Sequence, residues 1–365
     1  MSESERDPVV VTTSTTATLR VPRAMHIAVV GATGVVGREV LSILEERRFP
    51  VASLKLFASE RSRGEQVTFL ERDHSVEVLD DGCFEGVEIA FFAGGSGVSK
   101  EWAPKAAAAG AVVIDKSSLF RRDTEVPLLV PEVNEADLDA YAQRRIIATP
   151  NCSTIQLVQA LKPLHEAFGL KRVICATYQS VSGAGKAGVD ELDAQVRALF
   201  NMRDDYPTDV FQGRIAFNVL PCIPGSTSFD DDGNTEEEAK MLYETRRILN
   251  LPDLKMSVTC ARVPVFACHS EAVHMEFENE AAVDKAREVL EQAPGIAVLD
   301  DVDQRLYPSC VDGAGEDLTF VGRIRKDPAF DHGLSLWVVS DNLRTGAALN
   351  AVRIAEHLAV RHLCA

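Results

Sequence analysis

No segment of the 365-residue chain reaches the ~18 consecutive apolar residues that a membrane-spanning helix needs. None of the eight cysteines stands in a C-x-x-C pair or at zinc-ligand spacing, which excludes the common structural metal motifs and leads us to expect no metal site. A chain this long has no need of a disulfide framework, so the cysteines read as free thiols in a reducing, cytoplasmic compartment. Most are expected to be inert: Cys175, Cys222, Cys260 and Cys268 stand in or beside apolar strand-like runs, where a thiol acts as a small core hydrophobe. Basic charge is scarce too, since 38 Lys and Arg against 55 Asp and Glu leave a formal charge of −17. That balance argues against nucleic acid or an anionic membrane as partner, so an anionic ligand must be held by a local cluster of cations and backbone N–H groups. Residues 1–24 lack the basic and apolar regions of a secretory signal, and Glu3, Glu5 and Asp7 are at odds with an acidic-poor transit peptide. They read as a disordered extension.

What the chain does contain suits two folded domains: its length, 46% hydrophobic residues and 25% charged residues fit an ordinary globular protein. His26–Val30 is a short apolar run that ends at Gly31, and Gly34 and Gly37 then lead into Val40, Leu41 and Leu44 at helical spacing. This is a strand, a glycine turn and a helix. Further apolar runs at Leu54–Ala58, Ile89–Ala93 and Val112–Ile114, with a helix-compatible stretch at Ser99–Ala109, predict a parallel α/β sheet over residues 25–152. After Cys152, a helix is expected over Ser153–Phe168, with Ser153 or Thr154 near its start. Strand-like runs follow at Arg172–Val181, Met256–Val265, Ala272–Phe277, Leu318–Ile324 and Leu334–Val339. They predict a second α+β domain with a mixed, largely antiparallel sheet over residues 153–342. Leu343–Leu363 reads as an amphipathic helix returning to the first domain, within a final segment 343–365.

The turn GATGVVG suits a pyrophosphate at a helix N-terminus, because its missing side chains let backbone N–H groups approach the anion. The alternative is a tight strand-to-helix turn without a ligand. About twenty residues on, where an acidic residue would bind a ribose diol, stand Ser59, Arg61 and Ser62. A guanidinium there matches a 2′-phosphate, which points to NADP; Glu60 on the diol, with Arg61 a solvated surface charge, is the alternative. A second turn, GGSG with Gly94 and Ser96, follows the strand IAFFA, either touching the cofactor or serving as an ordinary connecting loop. In TPNCSTIQ, Cys152 directly precedes a helix whose free N–H groups and dipole favour a thiolate, a strong nucleophile.

Five separated segments carry a resemblance: GATGVVG, PNCST, QSVSGAG, NTEEEAKM and RVPVFACH, in this order, resemble the successive signatures of aspartate-semialdehyde dehydrogenases. The similarity runs from about Met25 to Leu363 and includes VPEVN and GAALNAVRIAE. It implies a Rossmann-type first domain, a catalytic and dimerisation second domain, and NADPH-dependent reduction of L-aspartyl-4-phosphate to L-aspartate-4-semialdehyde plus phosphate, toward lysine, threonine and methionine. By resemblance, Cys152 is the nucleophile, and His269 the acid/base that accepts the thiol proton and later donates one. Gln179 positions the thioester. Arg262 then holds the substrate carboxylate, Glu237 its ammonium, and Arg121, Lys240 and Asn151 the phosphate; a one-residue slip is open among the neighbours Glu236, Glu238 and Arg122. Gly31, Thr33, Gly34, Val35, Val36, Gly37, Ser182, Gly183 and Asn342 become cofactor contacts, and the chain a homodimer or homotetramer. PGSTSFDDDG departs from the pattern. The rival readings are a reductase of N-acetylglutamyl phosphate and a non-catalytic NADP-binding sensor.

Overall fold

The computed structural model describes residues 18–223 and 229–364. The expected extension therefore falls largely outside the described residues, as does the first half of PGSTSFDDDG. Two sheets organise the chain. The first takes β1 (Met25–Val30), β2 (Val51–Phe57), β3 (Gln66–Phe69), β4 (Arg72–Glu77), β5 (Ile89–Phe92), β6 (Val112–Asp115) and β7 (Ile146–Ala148), in the spatial order β3-β4-β2-β1-β5-β6-β7. Every pairing is parallel except the β3–β4 hairpin, which the sequence reading missed. Strand β5, IAFF, is buried along its whole length, as a parallel strand covered on both faces must be. Its helices are α1 (Val35–Glu46), α2 (Ser96–Ala108) and the single turn α3 (Pro131–Asn134).

Next in the chain is α4 (Cys152–Phe168), capped by Asn151, whose side-chain oxygen accepts from the Ser153 N–H at 2.8 Å. The cap is thus Asn151, where Ser153 or Thr154 had been expected, because those two side chains turn into the buried face. Gly169, at φ 74°, ends the helix. The second sheet takes β8 (Leu170–Gln179), β9 (Lys255–Arg262), β10 (His269–Phe277), β11 (Ile296–Val298), β12 (Thr319–Asp327) and β13 (Gly333–Ser340), ordered β11-β12-β13-β10-β8-β9. The β8–β9 and β11–β12 pairs are parallel and the other three antiparallel, so the sheet is mixed and largely antiparallel. Helices α5 (Lys186–Phe200), α6 (Glu236–Ile248), α7 (Val283–Gln292) and the turn α8 (Cys310–Gly313) accompany it.

The C-terminal segment departs from the expected plain α-helix. Arg344–Ala348 and Ala359–Leu363 form π turns on either side of α9 (Leu349–Leu358). Leu349, Val352, Ala355 and Leu358 join the core of the first sheet with Val29, Leu44 and Ile114. A buried bidentate pair, Arg47 to Glu356 at 2.8 Å through both nitrogens, fastens α9 to the end of α1. Cys175, Cys260 and Cys268 are buried, as expected, whereas Cys222 is only half-buried because it lies in an irregular segment after α5. Among the described residues, no helix is long and apolar enough to cross a membrane.

Candidate active site

Register places the chemistry. Gln179 on β8 pairs with Arg262 on β9 and with His269 on β10, so three functional side chains stand in one row across three neighbouring strands. Directly paired residues point to the same face of a sheet, and α4 covers this face with Cys152 at its first turn. The Cys152 sulfur lies 3.3 Å from His269 Nε2. Gly346, in the first π turn, explains how the thiol is approached: a Cβ built there would sit 2.9 Å from Cys152 Cβ. The widened turn brings bare backbone against the nucleophile.

His269 is fully buried, and its Nδ1 accepts the Ser180 backbone N–H at 3.1 Å. The neutral ring therefore carries its proton on Nε2 and meets the sulfur as a donor. Burial, and next the Arg262 charge, push its pKa down to about 3. In this tautomer the ring is set to donate to the reacting centre, with a backbone N–H on its other nitrogen. Burial raises the Cys152 thiol above its usual range, and Glu237 raises it further; Lys116, Arg262 and Arg121 oppose the rise, in that order.

Arg262 is buried, and its Nη1 donates to the Ser180 carbonyl at 2.7 Å. Gly183 has to be glycine beside it, since a Cβ there would come within 2.7 Å of the same nitrogen and 3.3 Å of the His269 ring. Among the three glutamates, Glu237 accepts from Gln179 Nε2 at 3.1 Å through its Oε1, whereas Glu238 closes a capping box with Thr235 and also accepts the Cys260 N–H. Arg121, not the exposed Arg122, turns inward, but it is engaged by Glu244 at 3.0 Å and by the carbonyls of Lys116 and Ser117. Glu244 also accepts the Asn151 N–H at 2.6 Å. With its side-chain oxygen spent on the helix cap, Asn151 has only its amide nitrogen left for an anion. The Lys240 ammonium pairs with Glu236 at 2.7 Å, one turn back along α6.

Sequence reasoning missed Lys116, Glu244 and Ser180. The one available signal was for Lys116, the first cation after the apolar strand VVID, at a carboxyl end where α/β ligands bind.

The glycine turn fits a dinucleotide. Gly31 is at φ 87° and a Cβ on it would lie 2.8 Å from the Ala93 carbonyl carbon, while one on Gly37 would lie 2.2 Å from the Gly31 oxygen. Gly34 caps α1 with no side-chain bond, so no cap side chain occupies the first-turn N–H groups at Val35 and Val36, which follow β1 where it neighbours β5. Thr33 Oγ1 meets Ser62 Oγ at 3.2 Å, which joins the turn to the short Glu60–Ser62 helix that Ser59 starts. Arg61 there is exposed with no ion-pair partner among the described residues, whereas Glu60 pairs with Arg63 at 3.3 Å. Gly94 lies on the adjoining loop and the exposed Ser96 opens α2, 3.4 Å from Ser118. Asn342 is buried. Its Oδ1 accepts from Ser180, Ser182 and the Cys268 N–H at 3.0–3.1 Å, so it buttresses the His269 loop.

Comparison with known proteins agrees with this geometry. The family model described as "Semialdehyde dehydrogenase, NAD binding domain" matches residues 26–141, and "Semialdehyde dehydrogenase, dimerisation domain" matches residues 161–345. The aspartate-semialdehyde dehydrogenase of Aquifex aeolicus is 51% identical over 334 residues, covering 91% of this chain and 97% of that protein. A crystal structure of aspartate semialdehyde dehydrogenase II from Vibrio cholerae complexed with ASA superposes with a TM-score of 0.90 at 45% identity, covering 93% and 99% of the two chains. The Candida albicans enzyme, in a structure with NADP, superposes at 0.70 with 27% identity, covering 92% and 98%. With two family models spanning both sheets and a relative half identical over nine-tenths of its length, the chain belongs to the aspartate-semialdehyde dehydrogenase family.

Proposed function

We propose that this chain catalyses the reversible, NADPH-dependent reduction of L-aspartyl-4-phosphate to L-aspartate-4-semialdehyde and phosphate, through a thioester on Cys152. The observation that carries the reading is a half-buried thiol at the start of α4, 3.3 Å from an imidazole nitrogen and flanked by Arg262, Gln179 and Glu237. The Cys152 sulfur attacks the acyl carbon and forms the C–S bond. His269 Nε2–H donates to the oxygen that becomes anionic, a stabilisation that is strongest in a site shielded from water. Phosphate then leaves with the electron pair of the C–O bond, and Gln179 holds the resulting thioester without adding charge. NADPH, when bound, would supply the hydride that turns the thioester into a hemithioacetal; as its oxygen gives up the proton to His269 and the C–S bond breaks, the aldehyde and the thiolate are released.

Charge sorts the substrate. Arg262 offers a planar fork to the carboxylate and Glu237 an acceptor to the ammonium. An N-acetylated substrate has no ammonium, so Glu237 would face it as a buried, uncompensated charge. Accordingly, NADP reduction in the presence of phosphate is expected with aspartate semialdehyde and not with N-acetylglutamate semialdehyde; a preference for the latter would overturn the assignment. NADP is favoured over NAD by Arg61, which has no ion-pair partner among the described residues, whereas the acidic alternative for the ribose, Glu60, already has one. A tighter dissociation constant for NAD than for NADP would refute that choice.

The chain is further proposed to act as a homodimer in the cytoplasm, divided at residues 25–152, 153–342 and 343–365 as the sequence reading has it. One face of the second sheet is packed by α4, α6 and α7, and the other leaves Ile174 and Tyr178 exposed beside Trp337. Fractionation of the source cells checks the compartment, and recovery of the activity with membranes would contradict it.

A further inference from the structure

We infer that Lys116 is the cation that most eases ionisation of Cys152 to the attacking thiolate. The inference rests on Cys152 being the nucleophile, and deepens that reading by naming what activates it.

Lys116 is the residue immediately after β6, and its backbone N–H bonds the Phe92 carbonyl at 3.0 Å, which fixes the chain at the carboxyl end of the sheet. Arg121 holds its carbonyl from the other side at 2.9 Å. The side chain then runs to the site, where Nζ donates to the Gly346 carbonyl at 3.4 Å. Gly346 is the residue packed directly on Cys152, so this one bond sets the ammonium beside the nucleophile.

The other charged groups around the sulfur are less suited to the task. Arg121 is neutralised by Glu244 at 3.0 Å. Arg262 is committed to the Ser180 carbonyl and, by the reading above, to the substrate carboxylate. His269 is neutral and cannot supply a positive charge, and Glu237 works against the anion. The start of α4 adds only the partial charge of its dipole. Among the described residues no carboxylate pairs with Lys116, and its charge is the foremost of those that lower the Cys152 thiol. In the activation step the S–H bond breaks, the proton passes to solvent water, and the charge left on sulfur is balanced by Nζ. Burial lowers the ammonium's own pKa, and the negative charge that forms on Cys152 is the first influence opposing that fall. An opposite charge within ~4–6 Å moves such a group by about 1–3 units, so even the low end of that range changes the thiolate fraction tenfold near neutrality.

The test is the pH dependence of iodoacetamide labelling at Cys152, read by mass spectrometry of the full-length protein without ligands. Wild type is compared with Lys116→Met, Lys116→Gln and Lys116→Arg. Removing the charge is expected to slow labelling at pH 7 about tenfold and to move the midpoint up by about one unit, with the same plateau at high pH. The Arg variant is expected to keep the wild-type midpoint. A midpoint unchanged in both Met and Gln variants, with or without a uniform change in rate, would overturn the role of Lys116 while leaving Cys152 as nucleophile. Failure of the wild-type Cys152 to label selectively at any pH would instead remove the nucleophile itself. The Gln variant guards against misfolding of the Met variant, and the thermal midpoint of each reports it.

Discussion

His269 illustrates how a single backbone hydrogen bond decides what an imidazole contributes. Its ordinary pKa near 6.5 falls to about 3 in the fold, so between those values the unfolded chain binds a proton that the native protein excludes. The sign follows: this contribution to stability is complete above pH 6.5 and is lost as pH falls toward 3. Replacing His269 by Gln should therefore flatten the acid limb of stability by up to about one proton per molecule, measured by urea titrations between pH 7 and 4. Equal slopes for wild type and variant would show that the ring titrates normally. The same residue marks the limits of the sequence. That His269 and Cys152 belong to one site was legible from two motifs, and they meet at 3.3 Å, but the ring's tautomer was not, because it depends on Ser180, 89 residues away in the chain. Glu244 was equally invisible: it reaches Asn151 across 93 residues, and nothing local distinguishes it from a solvated helix glutamate.

At the scale of elements, parallel strands and capped helices were readable because each rests on a local pattern: apolar runs, glycine turns, and a cap before an apolar stripe. The β3–β4 hairpin escaped notice because Gln66–Phe69 and Arg72–Glu77 are short and largely exposed, so little hydrophobic contrast marks them. The π turn at Arg344–Ala348 was also hidden, since its apolar spacing passes for α-helix while its extra residue per turn is set by what packs on it. That turn gives a sharp prediction. Gly346→Ala places a methyl 2.9 Å from Cys152 Cβ, and a nucleophile displaced by even a fraction of an ångström loses much of its alignment. Steady-state kinetics should show kcat reduced on the order of 100-fold, with NADP binding retained at the distant glycine turn. Wild-type kcat in the variant would mean that the turn is not a support for the thiol.

For the molecule as a whole, the bare face of the second sheet and the long reach of α9 matter most. The sequence foretold both sheets but no interface, because the residues that leave this face uncovered alternate with core residues and read as ordinary strand. Tyr178→Asp puts a charge amid Ile174 and Trp337, and sedimentation velocity should show the dimer dissociating to monomers; an unaltered dimer would move the interface elsewhere. Clamps hold the two sheets in register: Arg344 of the π turn bonds Glu39 and Glu46 of α1, and Asp317 before β12. The central claim is that the Cys152 sulfur carries the substrate covalently. Incubation with aspartate semialdehyde and NADP in the absence of phosphate, followed by acid quench and peptide mass spectrometry, tests it most directly. An aspartyl adduct on the Cys152 peptide, discharged when phosphate is added, is the predicted result; turnover without any adduct, or an adduct on another cysteine, would contradict it.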